Sequence, residues 1–323
     1  MKAPTSIAPA MAAMLSLAGA GDAVGQEIEA PGPQGALHGT LLPPADGGPL
    51  LLIIPGSGPT DRDGNNPLGV RAAPYRLLAE ALAARGIGSV RIDKRGMFAS
   101  AGAVEDANAV TIADYAADVH NWTASLRAQT GATCIWLVGH SEGGLVALTA
   151  AQQPDGLCGL ILLSTAGRPL GMVMREQLRA NPANAPTLDQ ALTAIDRLEA
   201  RETVEVSALH PALQALFAPQ VQPYLMDMLV RDPAALAARI ARPMLIVQGD
   251  RDLQVTPADA QALHRAQPEA TLAILPHVNH VLKSVASDER AANMATYMDP
   301  DLPIAPDVVA AIADFLTHPQ EAH

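Results

Sequence analysis

Gly139-His140-Ser141-Glu142-Gly143-Gly144 stands between an apolar run and a helical pattern. The spacing G-x-S-x-G suits a serine on a sharp strand-to-helix turn. The turn lifts the hydroxyl above the sheet, and the flanking glycines let strand and helix approach closely. A helix that starts there aims its first backbone N–H groups, that of Glu142 among them, at any oxyanion formed beside the serine. The chemistry is nucleophilic attack, which a serine performs only when a base takes its proton. The alternative is a tight turn carrying an inert serine.

Two later segments offer the acid and the base. Leu245-Ile246-Val247-Gln248-Gly249-Asp250-Arg251-Asp252 reads as a strand that ends in a turn with two aspartates. Pro276-His277-Val278-Asn279-His280 follows one strand later. The order serine, then acid, then histidine is one of the chain orders that triads adopt. On residue type alone Asp250 competes with Asp252, and His277 with His280. No cysteine or carboxylate partner stands at metal spacing from the two histidines, so no metal site is expected. The Gly-rich segment Pro55–Gly58 is not a phosphate loop, because no G-K-[ST] follows it.

These residues need a scaffold, and the pattern supplies one. From residue 35 onward short apolar runs alternate with helical periodicity, which predicts a mostly parallel sheet flanked by helices. Strands are expected at Leu50–Ile54, Gly88–Asp93, Cys134–Val138, Gly159–Leu163, Met244–Gln248 and Thr271–Leu275. Helices are expected over Tyr75–Arg85, stopped by Gly86, and after the capping box Thr111–Asp114. The last helix carries Val308, Val309, Ile312, Phe315 and Leu316 on one face. Between Ser164 and Arg242 no strand pattern occurs, only helical stretches broken by prolines. A structureless loop of that length is implausible, so 165–242 is expected to be an inserted helical cap.

With these motifs in view, the chain resembles the α/β-hydrolase superfamily, within its cap-bearing bacterial serine esterase and lipase-like branch. The resemblance implies an α/β-hydrolase core over 26–164 and 243–323. It favours Asp252, three residues after the glycine that ends its strand, and His280, the second of the histidines. It implies that the loop Pro55-Gly56-Ser57-Gly58-Pro59-Thr60-Asp61-Arg62-Asp63-Gly64-Asn65 donates the second oxyanion N–H, from Ser57. Pro55 departs from the family's usual His-Gly. Asp93-Lys94-Arg95-Gly96 resembles a structural D-x-R-G turn, but Met97-Phe98 replaces the usual continuation and goes either to the pocket or, by slight preference, to the core. Glu142 beside the nucleophile must point away or find a cation, with Arg95 and Arg62 as candidates. In the cap, Met172, Met174, Met226 and Met228 suit a pocket for varied apolar groups or the cap's own core; Met172 and Met226 are the pocket candidates.

The implied activity is hydrolysis of carboxylic esters through an acyl-enzyme, on a small-molecule substrate and without a cofactor. Other chemistries on the same triad are those of a lipase, thioesterase, peptidase or C–C hydrolase. A non-catalytic binding protein of the same fold is a remote alternative.

The bulk composition is compatible. The 323 residues are 49% hydrophobic and 17% charged, enough to build a full core. A formal net charge of -12 argues against nucleic acid and anionic membranes as partners. Residues 1–25 combine Lys2, an apolar small-residue stretch and Ala18-Gly19-Ala20, the form of a signal peptide; a disordered leader is the alternative. The first reading places the protein in the periplasm or outside the cell, the second in the cytoplasm. No segment is long enough for a transmembrane helix. The two cysteines, Cys134 and Cys158, begin strands that the resembled fold makes parallel neighbours. Strand spacing permits a disulfide, but a one-residue change of register would turn the sulfurs to opposite faces. The alternative is two buried free thiols.

Overall fold

The computed structural model describes residues 25–318, so all of the expected leader except Gly25 lies outside the described residues. Eight strands form one sheet: β1 Gln26–Pro31, β2 Ala36–Leu42, β3 Leu50–Ile54, β4 Gly88–Ile92, β5 Ile135–His140, β6 Leu157–Leu163, β7 Met244–Gly249 and β8 Thr271–Leu275. Their spatial order is β1-β2-β4-β3-β5-β6-β7-β8. The first two strands are antiparallel, and every pair from β4/β3 to β7/β8 is parallel. The helices are α1 Pro74–Ala83, α2 Ile112–Thr130, α3 Glu142–Ala150, α4 Leu170–Ala180, α5 Leu188–Glu199, α6 Pro211–Gln214, α7 Gln222–Leu229, α8 Pro233–Ala237, α9 Pro257–Ala266, α10 Arg290–Ala295 and α11 Pro306–Thr317.

The apolar strands are buried on both faces, as a parallel sheet between helices requires. Leu50, Leu52 and Ile54 pack with Leu137, Leu160 and Ile246 against α2, α3 and α9. Leu51, Ile53, Trp136, Val138 and Ile161 turn the other way, against Tyr75, Leu78 and Leu82 of α1 and Ile312 and Phe315 of α11. Each Leu or Ile removed from water contributes about 1.5–3 kcal/mol. Thr111 and Asp114 form the expected capping box at the start of α2. Gly86, at φ 79°, ends the turn after α1.

The β1–β2 hairpin and α10 were not anticipated. In β1 only Ile28 and Ala30 are buried, so the strand carries two inward residues and little apolar signal. α10 has six residues, too few for a helical period to declare itself.

No strand interrupts the chain between β6 and β7. Helices α4 to α8 fill that interval and pack on one another through Ala191, Ile195, Leu198, Phe217, Leu225 and Leu229. α8 is tied to the turn after α3, where Gln152 Nε2 donates to the Leu236 carbonyl (3.1 Å), while other anchors lie beyond the C-terminal ends of the parallel strands. Asp227 of α7 accepts from the Ile112 N–H (3.0 Å), and Gln177 of α4 donates to the Gln254 carbonyl (2.8 Å). Arg168, just before α4, makes paired bonds to Asp259 of α9.

Cys134 and Cys158 are disulfide-bonded, with Cα atoms 5.1 Å apart. The register explains how. Ile135 pairs with Leu157 and Trp136 with Gly159, which leaves Cys158 as the extra residue of a bulge. The extra residue shifts the pairing by one and re-aims the Cys158 side chain. The bond sits at the N-terminal ends of β5 and β6, the sheet edge away from Ser141.

Candidate active site

Ser141 follows β5 and caps α3, with φ 54° and ψ -119°. Such a backbone costs a non-glycine residue about 1–3 kcal/mol and persists only where its surroundings enforce it. The neighbouring glycines supply the room. A Cβ on Gly139 would lie 2.4 Å from the Gly143 carbonyl oxygen, one on Gly143 2.2 Å from that of Ile54, and one on Gly144 2.1 Å from Thr165 Oγ1. Any side chain at these positions would push the helix off the sheet and unbend the turn.

Asp252 and His280 meet in the loops after β7 and β8. His280 Nδ1 donates to Asp252 Oδ2 at 2.8 Å, and both side chains are buried. Asp252 Oδ1 accepts from the N–H groups of Gln254 (2.8 Å) and Val255 (2.9 Å), and Gln248 Nε2 adds a bond at 3.2 Å to Oδ2. Burial alone would raise the Asp252 carboxyl; the His280 charge and hydrogen bond, with those amides, outweigh it and hold the pKa below the usual value. Asp250 and His277 take other roles: Asp250 accepts from the His277 N–H at 2.7 Å. With Nδ1 committed to Asp252, His280 has Nε2 left for a hydroxyl. Among the described residues Ser141 Oγ and His280 Nε2 share no hydrogen bond, a contact that in free enzymes often closes only around substrate.

A buried relay joins the two halves of the site. The Gly56 N–H donates to the Tyr75 hydroxyl (3.0 Å), which lies 2.9 Å from His140 Nδ1. His140 Nε2 lies 2.8 Å from the His280 carbonyl oxygen. A carbonyl only accepts, so Nε2 carries a proton. Burial, with the neighbouring His280, pushes the His140 pKa down to about 3, so the ring is neutral and Nδ1 accepts from the tyrosine. Asn279 clamps the His280 loop onto α10 through Asn293 (3.1 Å) and Thr296 (2.7 Å).

The loop after β3 lies against Ser141: a Cβ on Gly56 would touch the Ser141 Cβ at 3.4 Å. Asp61 folds the loop by accepting from the N–H groups of Asp63 and Asn65, and Arg62 ties it to Asp93 with two side-chain bonds of 3.0 and 2.8 Å. Among the described residues neither the Ser57 nor the Glu142 N–H donates to a protein acceptor.

Two expectations are corrected. The Glu142 carboxylate pairs with Lys94 (3.3 Å), not with Arg95 or Arg62. Arg95 is spent on Asp118 and Asp114, and Arg62 on Asp93 and Glu27. Phe98 does not enter the core; it is 45% exposed, and Met97 is half-buried. Met226 and Met174 pack against the cap core, Met228 is buried within it, and Met172 stands 48% exposed. Tyr75, His140 and Lys94 escaped the sequence reading. The signal for the last two was their place inside the motifs, at the x positions of G-x-S-x-G and D-x-R-G.

Comparison with known proteins fits this geometry. The family model for serine aminopeptidase, S33, matches residues 68–284, more than half of the chain. The chain belongs to this family. Esterase EstD of Thermotoga maritima is 26% identical over 261 residues, covering 77% of this chain. The chain spans 58% of the length of that relative. Three similar solved structures share the fold. Est1E from Butyrivibrio proteoclasticus has a TM-score of 0.54 at 16% identity, covering 90% of this chain and 98% of its own. The Pyrococcus furiosus esterase Pf2001 has 0.56 at 15%, covering 91% and 90%. A thermophilic esterase from Thermogutta terrifontis has 0.54 at 22%, covering 90% and 98%. The core is an α/β-hydrolase fold, and the helices between β6 and β7 are its inserted cap region. Among the described residues no helix is long and apolar enough to cross a membrane.

Proposed function

We propose that this member of the S33 family cleaves carboxylic esters through an acyl-enzyme on Ser141. The observation that carries the reading is the buried His280–Asp252 pair beside the strained Ser141 turn. His280 Nε2 takes the Ser141 proton as Oγ attacks the carbonyl carbon. Asp252 fixes the imidazole tautomer and stabilises the imidazolium. The tetrahedral oxygen accepts from the Glu142 and Ser57 N–H groups, and collapse expels the alcohol with a proton from His280. Water, activated by the same histidine, then releases the acid. The esterase names of EstD and Est1E agree with this reading.

The family's aminopeptidase description supports a second reading, release of an N-terminal residue. That reaction calls for a carboxylate to hold the substrate's free ammonium. Glu142, the carboxylate adjoining the nucleophile, is already paired with Lys94, which favours the neutral ester. Exposed Phe98 and Met172, on segments after β4 and β6, are proposed to meet the acyl or alcohol group together with half-buried Met97. The disulfide supports export to an oxidising compartment.

A panel of p-nitrophenyl esters of graded chain length, run beside amino-acid p-nitroanilides, tests the reading. Ester turnover that falls to background in Ser141→Ala is expected. Turnover of the anilides alone would establish the peptidase instead.

A further inference from the structure

We infer that Lys94 is a positioning residue of the oxyanion site, holding the Gly56–Ser57 peptide so that its N–H faces the reacting oxygen. The inference rests on the proposed role of Ser141.

Lys94 is one of three lysines in the chain. Its side chain is 3% exposed. Burying an ammonium is costly unless its donors are used. Lys94 Nζ donates to the Gly56 carbonyl at 2.7 Å and to Glu142 Oε1 at 3.3 Å, and lies 5.2 Å from the centre of the Tyr115 ring. The carbonyl is therefore the closer partner, and the carboxylate the group that holds the ammonium in place.

The Gly56 carbonyl and the Ser57 N–H belong to one peptide group. No described peptide bond is cis. In a planar trans peptide the C=O and N–H point in opposite directions, so pinning the oxygen aims the hydrogen. The preceding peptide is pinned as well, by the bond from the Gly56 N–H to the Tyr75 hydroxyl. The charge on Lys94 also polarises the amide and strengthens its N–H as a donor. Glu142 thus enters twice: its own N–H is one oxyanion donor, and its carboxylate seats the lysine that aims the other. An arginine fork would need more room than this compact ammonium.

The test uses the full disulfide-bonded chain and p-nitrophenyl butyrate. Lys94→Met alone strands a buried carboxylate, so it is paired with Lys94→Met/Glu142→Leu, which removes both charges. In both variants kcat is expected to fall about 10- to 100-fold. KM should stay within about two-fold of wild type. The inhibition constant of an alkyl boronic acid, whose tetrahedral adduct needs the same two N–H groups, should rise by a similar factor. The thermal midpoint of the double variant should return towards wild type while kcat does not. Recovery of kcat in the double variant would overturn the inference, because Lys94 would then serve only to neutralise Glu142. A loss confined to KM would overturn it too. Ser141→Ala, run alongside, keeps the two ideas apart. If it is inactive while the Lys94 variants keep wild-type kcat, the positioning role alone fails. If it hydrolyses the ester normally, the nucleophile assignment fails and takes this inference with it.

Discussion

At the scale of the residue, the site depends on groups whose protonation the fold dictates. His140 bridges a hydroxyl and a carbonyl in a buried place, and burial beside His280 keeps the ring neutral. Its folded pKa of about 3 lies below the ordinary value near 6.5 of an unfolded chain. Between those values the unfolded chain binds the extra proton, so stability rises with pH. The contribution is complete above about pH 6.5 and is lost as pH falls towards 3, at no more than about 1.4 kcal/mol per unit. Urea unfolding should show it. From pH 6.5 to 5.0 the wild-type chain should lose about 1.6 kcal/mol more than His140→Gln, whose amide keeps a donor and an acceptor without titrating. Equal pH dependence of the two proteins would mean that His140 is not held neutral by the fold.

The limits of sequence reading also belong to this scale. Ser141 was legible because its motif is local: the glycines at 139, 143 and 144 are set by contacts that a single Cβ would break. The pairing of Asp252 with His280 was legible through chain order and resemblance, whereas residue type alone left Asp250 and His277 as rivals. The partner of Glu142 was not legible. Lys94 lies 48 positions away and reaches it only because β4 and β5 both flank β3. Arg62 and Arg95 lie in neighbouring loops, and their acids, Asp93 and Asp118, engage them instead.

At the scale of the element, the sheet gives two ends different tasks. Loops at the C-terminal ends of β3, β5, β7 and β8 carry the proposed reacting groups, as open parallel sheets generally arrange them. The N-terminal ends of β5 and β6 are tied by Cys134–Cys158. The pairing was foreseeable from strand adjacency, but its direction depended on the bulge at Cys158, which no local pattern announces. The bond closes a 24-residue separation that contains the whole Ser141 turn. In the chain-entropy view it stabilises by about 3 kcal/mol. Cys134→Ser/Cys158→Ser should therefore unfold at lower urea concentration while keeping its KM, since the bond lies away from the site. Thiol titration of the denatured, unreduced wild type should find no free thiol. Two free thiols there would contradict the bridge.

At the scale of the whole molecule, strand order, cap and the loops of the proposed site converge on one edge of the sheet. The cap anchors at Ile112, Gln254 and Asp259 all lie on segments that follow the C-terminal ends of β4 and β7. The alternation of apolar runs made the parallel core legible, and the proline-broken interval 165–242 made the insertion legible. The order in which cap helices pack was not, because their contacts are made between helices of similar composition. The account stands on one covalent claim, that Ser141 attacks the substrate. Treatment of the full chain with a fluorophosphonate, followed by peptide-level mass spectrometry, measures it most directly. The account predicts a stoichiometric adduct on the peptide containing Ser141, formed in step with loss of ester turnover and absent from Ser141→Ala. Full loss of turnover with the adduct on another residue, or undiminished labelling of Ser141→Ala, would contradict it.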